Sequence, residues 1–311
     1  MKKNLIVLCC LFQVSLAAAS AVTYTFSGGR LGDNLLAYCH AKWIANKFKI
    51  PLLYKPFSYS DRLMMHILEQ KYDDARVKNF ESIVMVQNLN QINPDANILY
   101  VIRYFPESMF ELTRPHFAHY FIVDWNDPAY KSELQKMLAP LNMPILIQPP
   151  QGYLSVAVHV RKGTGYDIST LAEFDKLCAD SPFKMPPDSF YIAQIKRIAQ
   201  IYQGSKPLYV YLFTDHNNPA EIVEYYKSQL QDSSIVFDYR KTKNIHNANV
   251  LEDFYSITNF DCLIRPDSNF SFIASKISDH QLIISPSGYM IKDGRVIITE
   301  TTETVRDSAH L

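Results

Sequence analysis

The chain has 311 residues, 48% hydrophobic and 20% charged, which supplies apolar surface for one large or two medium domains and excludes a disordered chain. Thirty-one basic residues balance thirty-one acidic ones. That neutrality argues against a broad nucleic-acid or anionic-membrane surface and leaves room for one local basic pocket.

Residues 1–21 read as an export signal. "MKKN" is a positive start, "LIVLCCLFQVSLAAA" an apolar stretch, and "AAASAV" a small-residue cleavage region, with the cut after Ala19 or Ala21. The alternative is an uncleaved membrane anchor, for which the stretch is short against the roughly 20 residues a span needs. No later segment is long and apolar enough to cross a membrane. Cys39, Cys178 and Cys262 remain, an odd and widely spaced set that supports neither a disulfide framework nor a zinc site. Cys39 and Cys262 lie in apolar contexts and read as buried thiols.

"VTYTF" alternates as a strand, the turn "SGGRLGDN" follows, and Leu35, Leu36, Cys39, Trp43 and Ile44 then recur at helical spacing. "IPLLY" is another strand, so the start is a βαβ unit of a parallel sheet. "SIVMV", "NILYVIR" and "HYFIVDW" are further strands, and a helix over 128–139 closes the half spanning 22–140. Four prolines in 140–153 mark an interdomain crossover at 141–153. The second half, 154–299, repeats the rhythm: strand "LSVAVHV", helix "DSFYIAQIKRIAQIY" capped by Asp188, strand "LYVYLFT", helix "NPAEIVEYYKSQL", then "SIVFDY", "VLEDFYSITNF", "DCLIR", "SFIASKI" and "QLIIS". Residues 300–311 read as a polar, frayed tail. The fold class is α/β, with two Rossmann-like domains facing across a cleft.

Ligands of open α/β sheets bind beyond the carboxyl ends of the strands. The first strand ends in Gly28, Gly29, Arg30, Gly32, Asp33 and Asn34, a glycine turn into a helix start that favours negative charge, although without a GxGxxG spacing. The strand at 154–160 ends in "HVRKG". Arg161 offers a bidentate fork to phosphate or pairs with a core carboxylate, His159 donates or accepts beside it, and Lys162 alternates toward solvent. Asp215, after "LYVYLFT", is a helix cap or a carboxylate for a ligand hydroxyl or base edge. Ser268, Asn269 and Ser271 place small polar groups at a helix start, as caps or as a phosphate site. Asp253 falls within a helix.

Together and in this order, the four segments resemble the fucosyltransferase superfamily, which covers α1,2-, α1,6- and protein O-fucosyltransferases. "GGRLGDNLLAYCHAKWIA" is similar to its glycine motif GxxGNQxxxYxxxxxxA, "HVRKG" to His-x-Arg-x-Gly, "YLFTDH" to the strand ending in Ser/Thr-Asp, and "DFYSITNFDCLIRPDSNFSFIAS" to the C-terminal block. The resemblance implies the GT-B arrangement, a GDP-fucose donor, a glycan or glycoprotein hydroxyl as acceptor, inversion at the anomeric carbon, and no metal or other cofactor. It implies that Arg161 grips the donor pyrophosphate, with His159, Asp215, Ser268, Asn269, Phe270 and Ser271 on the donor side. The N-terminal domain takes the acceptor side and the C-terminal domain the nucleotide sugar. The sequence departs from the pattern in two places. Gly32-Asp33-Asn34 stands where Gly-Asn-Gln is usual, so Asp33 is a general base or a helix cap. The acidic residue expected just after His-x-Arg-x-Gly is displaced to Asp167. Two other readings stand beside this one: a transferase of the same fold using another nucleotide sugar, and an exported, catalytically degenerate glycan- or nucleotide-binding protein.

Overall fold

The computed structural model describes residues 20–104, 123–162, 179–202, 206–245 and 247–306. In the N-terminal half β1 (Ala21–Tyr24), β4 (Ser82–Met85) and β5 (Ile98–Ile102) form a parallel sheet in the order β1-β5-β4. A parallel pair, β2 (Leu53–Tyr54) and β3 (Gln70–Lys71), joins it through a bridge between Val22 and Leu52. The short helices α2 (Met65–Leu68) and α3 (Asp74–Val77) fill the connections.

The helix after β1, α1 (Leu31–Phe48), is more deeply placed than its apolar spacing indicates. Thirteen of its 18 residues are buried, including Asn34, His40 and Lys42. A helix packed on nearly every side must compensate such groups. Lys42 pairs with Glu69 at 2.8 Å and Glu133 at 3.0 Å, and Tyr38 donates to Glu69 at 2.8 Å. Helix α4 (Pro128–Met137) begins with Asp127 accepting from the amide of Ala129 and with proline in the first turn, where the missing N–H costs nothing. Residues 141–153 contain neither helix nor strand.

The C-terminal half is one sheet, β11-β10-β9-β6-β7-β8, built from β6 (Leu154–Val160), β7 (Leu208–Thr214), β8 (Ile235–Tyr239), β9 (Cys262–Ile264), β10 (Leu282–Lys292) and β11 (Arg295–Val305). Its pairings are parallel except β10 with β11. The period of two sorts its side chains. Leu154, Val156, Val158 and Val160 pack under α5 (Asp188–Ile201) and α6 (Pro219–Leu230). Ala157, with Tyr209, Tyr211 and Phe213, joins a second core containing α7 (Val250–Ile257), α8 (Asn269–Ile277), α1 and the N-terminal sheet. One continuous core therefore spans both halves, and the face carrying Ala157 is the one that meets the N-terminal half. His159 shares that parity.

The structure corrects several expectations. Ser20 and Ala21, at the end of the segment read as an export signal, are buried, and Ala21 pairs with Leu99 as the first residue of β1. Residues 300–305 are not a frayed tail; they continue β11, whose backbone is tied to β10. Asp188 is the first residue of α5 rather than its cap, which is Pro187. Of "HYFIVDW", 119–122 lie outside the described residues and 123–125 are not strand. Cys39 and Cys262 are free and buried, while Cys178 lies outside the described residues. Among the described residues no helix is long and apolar enough to cross a membrane.

The halves touch most closely where α1 and α8 begin. A methyl group at Gly32 would stand 2.4 Å from the Phe270 amide nitrogen. The neighbour is backbone and cannot rotate away, so Gly32→Ala should destabilise the protein by about 1–3 kcal/mol. Thermal unfolding checks this. An unchanged melting temperature would show that the two helix starts can part without cost.

Candidate functional site

A cavity of about 520 Å³ lies between the halves. Gly29, Arg30, Gly32, Asp33 and Asn34 wall it from the N-terminal half, and His159, Arg161, Asp215, Ser268, Asn269 and Phe270 from the C-terminal half. The strand-end rule brings together all but two of the expected site residues. Gly28 is not in the wall. Its φ of 83° makes the turn that α1 needs, a conformation that costs glycine little. Ser271 is fully buried, and its hydroxyl donates to the Ser268 carbonyl at 3.3 Å, so it belongs to the first turn of α8 and not to the cavity.

The glycine turn serves the cavity by proximity. A Cβ at Gly29 would fall 1.9 Å from Asp33 Oδ2, so the bare backbone leaves room for that carboxylate. Asn34 braces the turn through its side-chain amide on the Gly29 carbonyl at 3.4 Å. Asp33 stands in the first turn of α1, but no side chain caps that helix. Its Oδ1 instead accepts from Asn269 Nδ2 at 2.6 Å and from the Tyr104 hydroxyl at 3.1 Å, and Asn269 also donates to Tyr104 at 3.0 Å. The helix-cap reading of Asp33 is replaced by a triangle that joins the halves.

On the opposite wall, His159 and Arg161 continue the face of β6 that looks toward the N-terminal half. The His159 ring lies 5.7 Å from that of Phe270, and its Nδ1 is buried with no hydrogen-bond partner. Burial, and then the charges of Arg161, Arg265 and Arg30, push the His159 pKa down to about 3, so the imidazole is neutral at physiological pH. Of these three arginines, Arg30 and Arg161 line the cavity, and among the described residues Arg161 has no hydrogen-bond or ion-pair partner.

Lys162 is not solvent-facing. It pairs with Asp188 at 2.6 Å, and Asp188 also accepts from the Tyr226 hydroxyl at 2.7 Å. Asp215 does not cap α6, whose cap position is Asn218. It accepts from the Lys162 amide at 2.9 Å and so ties the ends of β6 and β7 together behind Arg161. Gly163 and Asp167 lie outside the described residues. Ser268 occupies the cap position of α8 without a side-chain cap bond. Both α1 and α8 thus present their N-terminal ends at the cavity, each carrying a partial positive charge.

Sequence reasoning missed Tyr104, Arg265 and Tyr59. Tyr104 and Arg265 lie just beyond β5 and β9, so the strand-end rule applied to every strand would have found them. Arg265 donates to the Pro266 carbonyl at 3.1 Å and shapes the turn before α8. Asp253, within α7 as expected, also lines the cavity. Burial pushes its carboxyl up to about 6 against the opposing charge of Arg240, 2.5 Å away. Among the described residues no group of three or more metal-ligating side chains occurs.

No family model matches the chain, and no curated protein matches it. Solved structures do. An arginine-to-lysine mutant of Arabidopsis thaliana FUT1 in complex with GDP superposes with a TM-score of 0.53 at 13% identity, over 89% of this chain and 72% of that one. POFUT1 in complex with GDP-fucose gives 0.43 at 10% identity, over 86% and 96%. The fucosyltransferase NodZ from Bradyrhizobium gives 0.41 at 14%, over 93% and 99%. The likeness to the Arabidopsis protein is one of fold, and the fold is the two-domain GT-B type.

The depressed His159 pKa makes stability depend on pH with a definite sign. A folded value of about 3 against an ordinary 6.5 means that the unfolded chain binds the proton first. The contribution is complete above about pH 6.5 and is lost as pH falls toward 3. His159→Gln should therefore flatten acid destabilisation in that window relative to the wild type. Denaturant unfolding at a series of pH values checks the difference, which also cancels the opposite trend from Asp253.

Proposed function

We propose that the protein is an inverting glycosyltransferase that moves fucose from GDP-fucose to a hydroxyl of a glycan or glycoprotein. The observation that carries this reading is Arg161: a guanidinium without a partner among the described residues, facing a cavity that two helix N-termini and Arg30 also line. Such an array suits a diphosphate. The fold shared with a GDP-bound fucosyltransferase supports the donor class, and the order of the four sequence segments supports the sugar.

In this reading the bond between the anomeric carbon and the β-phosphate oxygen breaks, and its electron pair leaves with GDP. The acceptor oxygen forms the new bond from the opposite face. Arg161 and the start of α8 stabilise the charge that grows on the departing phosphate. His159, held neutral, offers Nδ1 to the donor without adding repulsion among the arginines. Asp33 takes the acceptor proton, with Tyr104 and Asn269 fixing the carboxylate so that it need not reorganise during transfer. The GT-B fold is compatible with other nucleotide sugars, and a panel of GDP, UDP and CMP conjugates in thermal-shift titration separates them, since selective binding raises apparent stability by mass action.

Arg161→Ala should abolish transfer and weaken GDP binding while leaving the fold intact. Loss of one such anchor costs on the order of 3 kcal/mol, about a hundredfold in rate. Arg161→Lys should rescue poorly, because an ammonium cannot reproduce the planar fork. Melting temperature and GDP affinity measured on the same variants decide the point. A destabilised Arg161→Ala whose folded fraction binds GDP normally would assign Arg161 a structural role instead.

For export we propose cleavage after Ala19. Ser20 is fully buried, its hydroxyl bonded to the Asn93 carbonyl at 2.9 Å, and a cut after Ala21 would discard both this anchor and the first residue of β1. Mass spectrometry of the native product should find Ser20 at the N-terminus. An intact Met1 would favour the membrane anchor.

A further inference from the structure

Tyr59, on the wall of the same cavity, adopts φ 70° and ψ −7°, the left-handed region that is costly for a bulky side chain. Its turn is closed by the Ser60 hydroxyl, which donates to the Phe57 carbonyl at 2.6 Å. It is also fastened to the crossover, because the Leu141 amide donates to the Arg62 carbonyl and the Met64 amide to the Ala139 carbonyl, both at 2.8 Å. The Arg62 guanidinium lies 5.8 Å from the Tyr59 ring centroid. From this braced position the Tyr59 hydroxyl reaches across to the C-terminal half and donates to the Asn247 carbonyl at 3.2 Å.

The loop it meets is constrained as well. Lys243 and Asn249 have φ of 60° and 53°, and Asn249 Nδ2 donates to the Lys243 carbonyl at 3.2 Å. Asn249 leads directly into α7, which carries the cavity carboxyl of Asp253. Asn247, Ala248 and Val250 all line the cavity. One hydroxyl from a braced turn of the N-terminal half thus makes an exposed hydrogen bond to the segment that leads into the cavity wall on the other half. Strain that persists at a cavity rim is maintained by the contacts around it, and here the cross-cavity contact is among them.

We propose that Tyr59 is a positioning residue, a clamp that holds the lead-in of α7 across the mouth of the cavity and slows release of a bound nucleoside diphosphate. The retention role rests on the donor reading given above; the clamp itself rests on the Tyr59–Asn247 contact. Tyr59→Phe keeps the ring and its packing and removes only the hydroxyl. In ligand-free protein, this variant should exchange the amides of residues 247–253 faster than wild type while its melting temperature stays close. In stopped flow with a fluorescent GDP, dissociation should accelerate about two- to tenfold, the range for one neutral hydrogen bond. Unchanged exchange overturns the clamp whatever GDP does. Faster exchange with unchanged GDP dissociation overturns its part in retention. A wild-type protein that binds no GDP removes the donor reading and the retention role with it, and exchange then decides the contact between the halves.

Discussion

The close approach of two helix starts at Gly32 is the constraint on which the site depends. The Phe270 amide occupies the space where a side chain at position 32 would lie, so α1 and α8 can meet only because that side chain is absent. The flanking residues Asp33, after Gly32, and Asn269, before Phe270, are thereby brought to 2.6 Å. Asp33 in turn needs Gly29 to have no Cβ. Two of the glycines that the sequence places together thus answer to one requirement, that two backbones and one carboxylate share a small volume. The continuous core beneath the cavity, from Leu35 and Tyr38 of α1 to Phe254 and Ile273 of α7 and α8, fixes that geometry.

Convergence has an electrostatic cost. Arg30, Arg161 and Arg265 all act on His159, and two helix N-termini add partial positive charge to the same region. The chain limits the repulsion by keeping the imidazole neutral. Nearby cations are treated differently. Lys162, next in sequence to Arg161, is neutralised by Asp188, and Arg240 by Asp253 and Glu252. The carboxylate that could have paired with Arg161 from the neighbouring strand end, Asp215, instead accepts the Lys162 amide. Lys162 and Arg240 are thus paired beside the cavity, whereas among the described residues Arg161 on its wall has no carboxylate partner.

Much of this was legible in the sequence because periodicity and strand ends are local signals. The alternation of "LSVAVHV" places His159 on the face with Ala157, and the structure puts that face toward the other half. The helix α1 was legible as a helix but not as a central one, since its burial comes from partners far away in the chain. Lys42 looks like a surface residue until Glu69 and Glu133 are seen beside it. Capping is the common local use of aspartate at a strand–helix junction, which is one of the two sequence readings of Asp215 and the sequence reading of Asp188. Their actual partners, the Lys162 amide and the Lys162 ammonium, come from another strand end and leave no mark in the flanking residues. The second half of β11, residues 300–305, reads in sequence as a tail because its threonines and glutamates are polar, whereas an edge strand with one exposed face can carry such residues.

Asp33 also bears on whether the site is built for chemistry or only for binding. A carboxylate where an amide is usual reads, in sequence, as a sign of decay. In the structure it is accommodated. Asn269 and Tyr104 both donate to the same oxygen, and the glycine turn opens beside the other. Both donors point at one oxygen, which a carboxylate or an amide carbonyl can present, so the surroundings accommodate the carboxylate without excluding the usual amide. The carboxylate is bonded to the first residue of α8 and to Tyr104, so it joins the two halves at the cavity wall. The two donors on Asp33 therefore make the carboxylate an integral part of the contact between the halves, which is not what a decayed position requires.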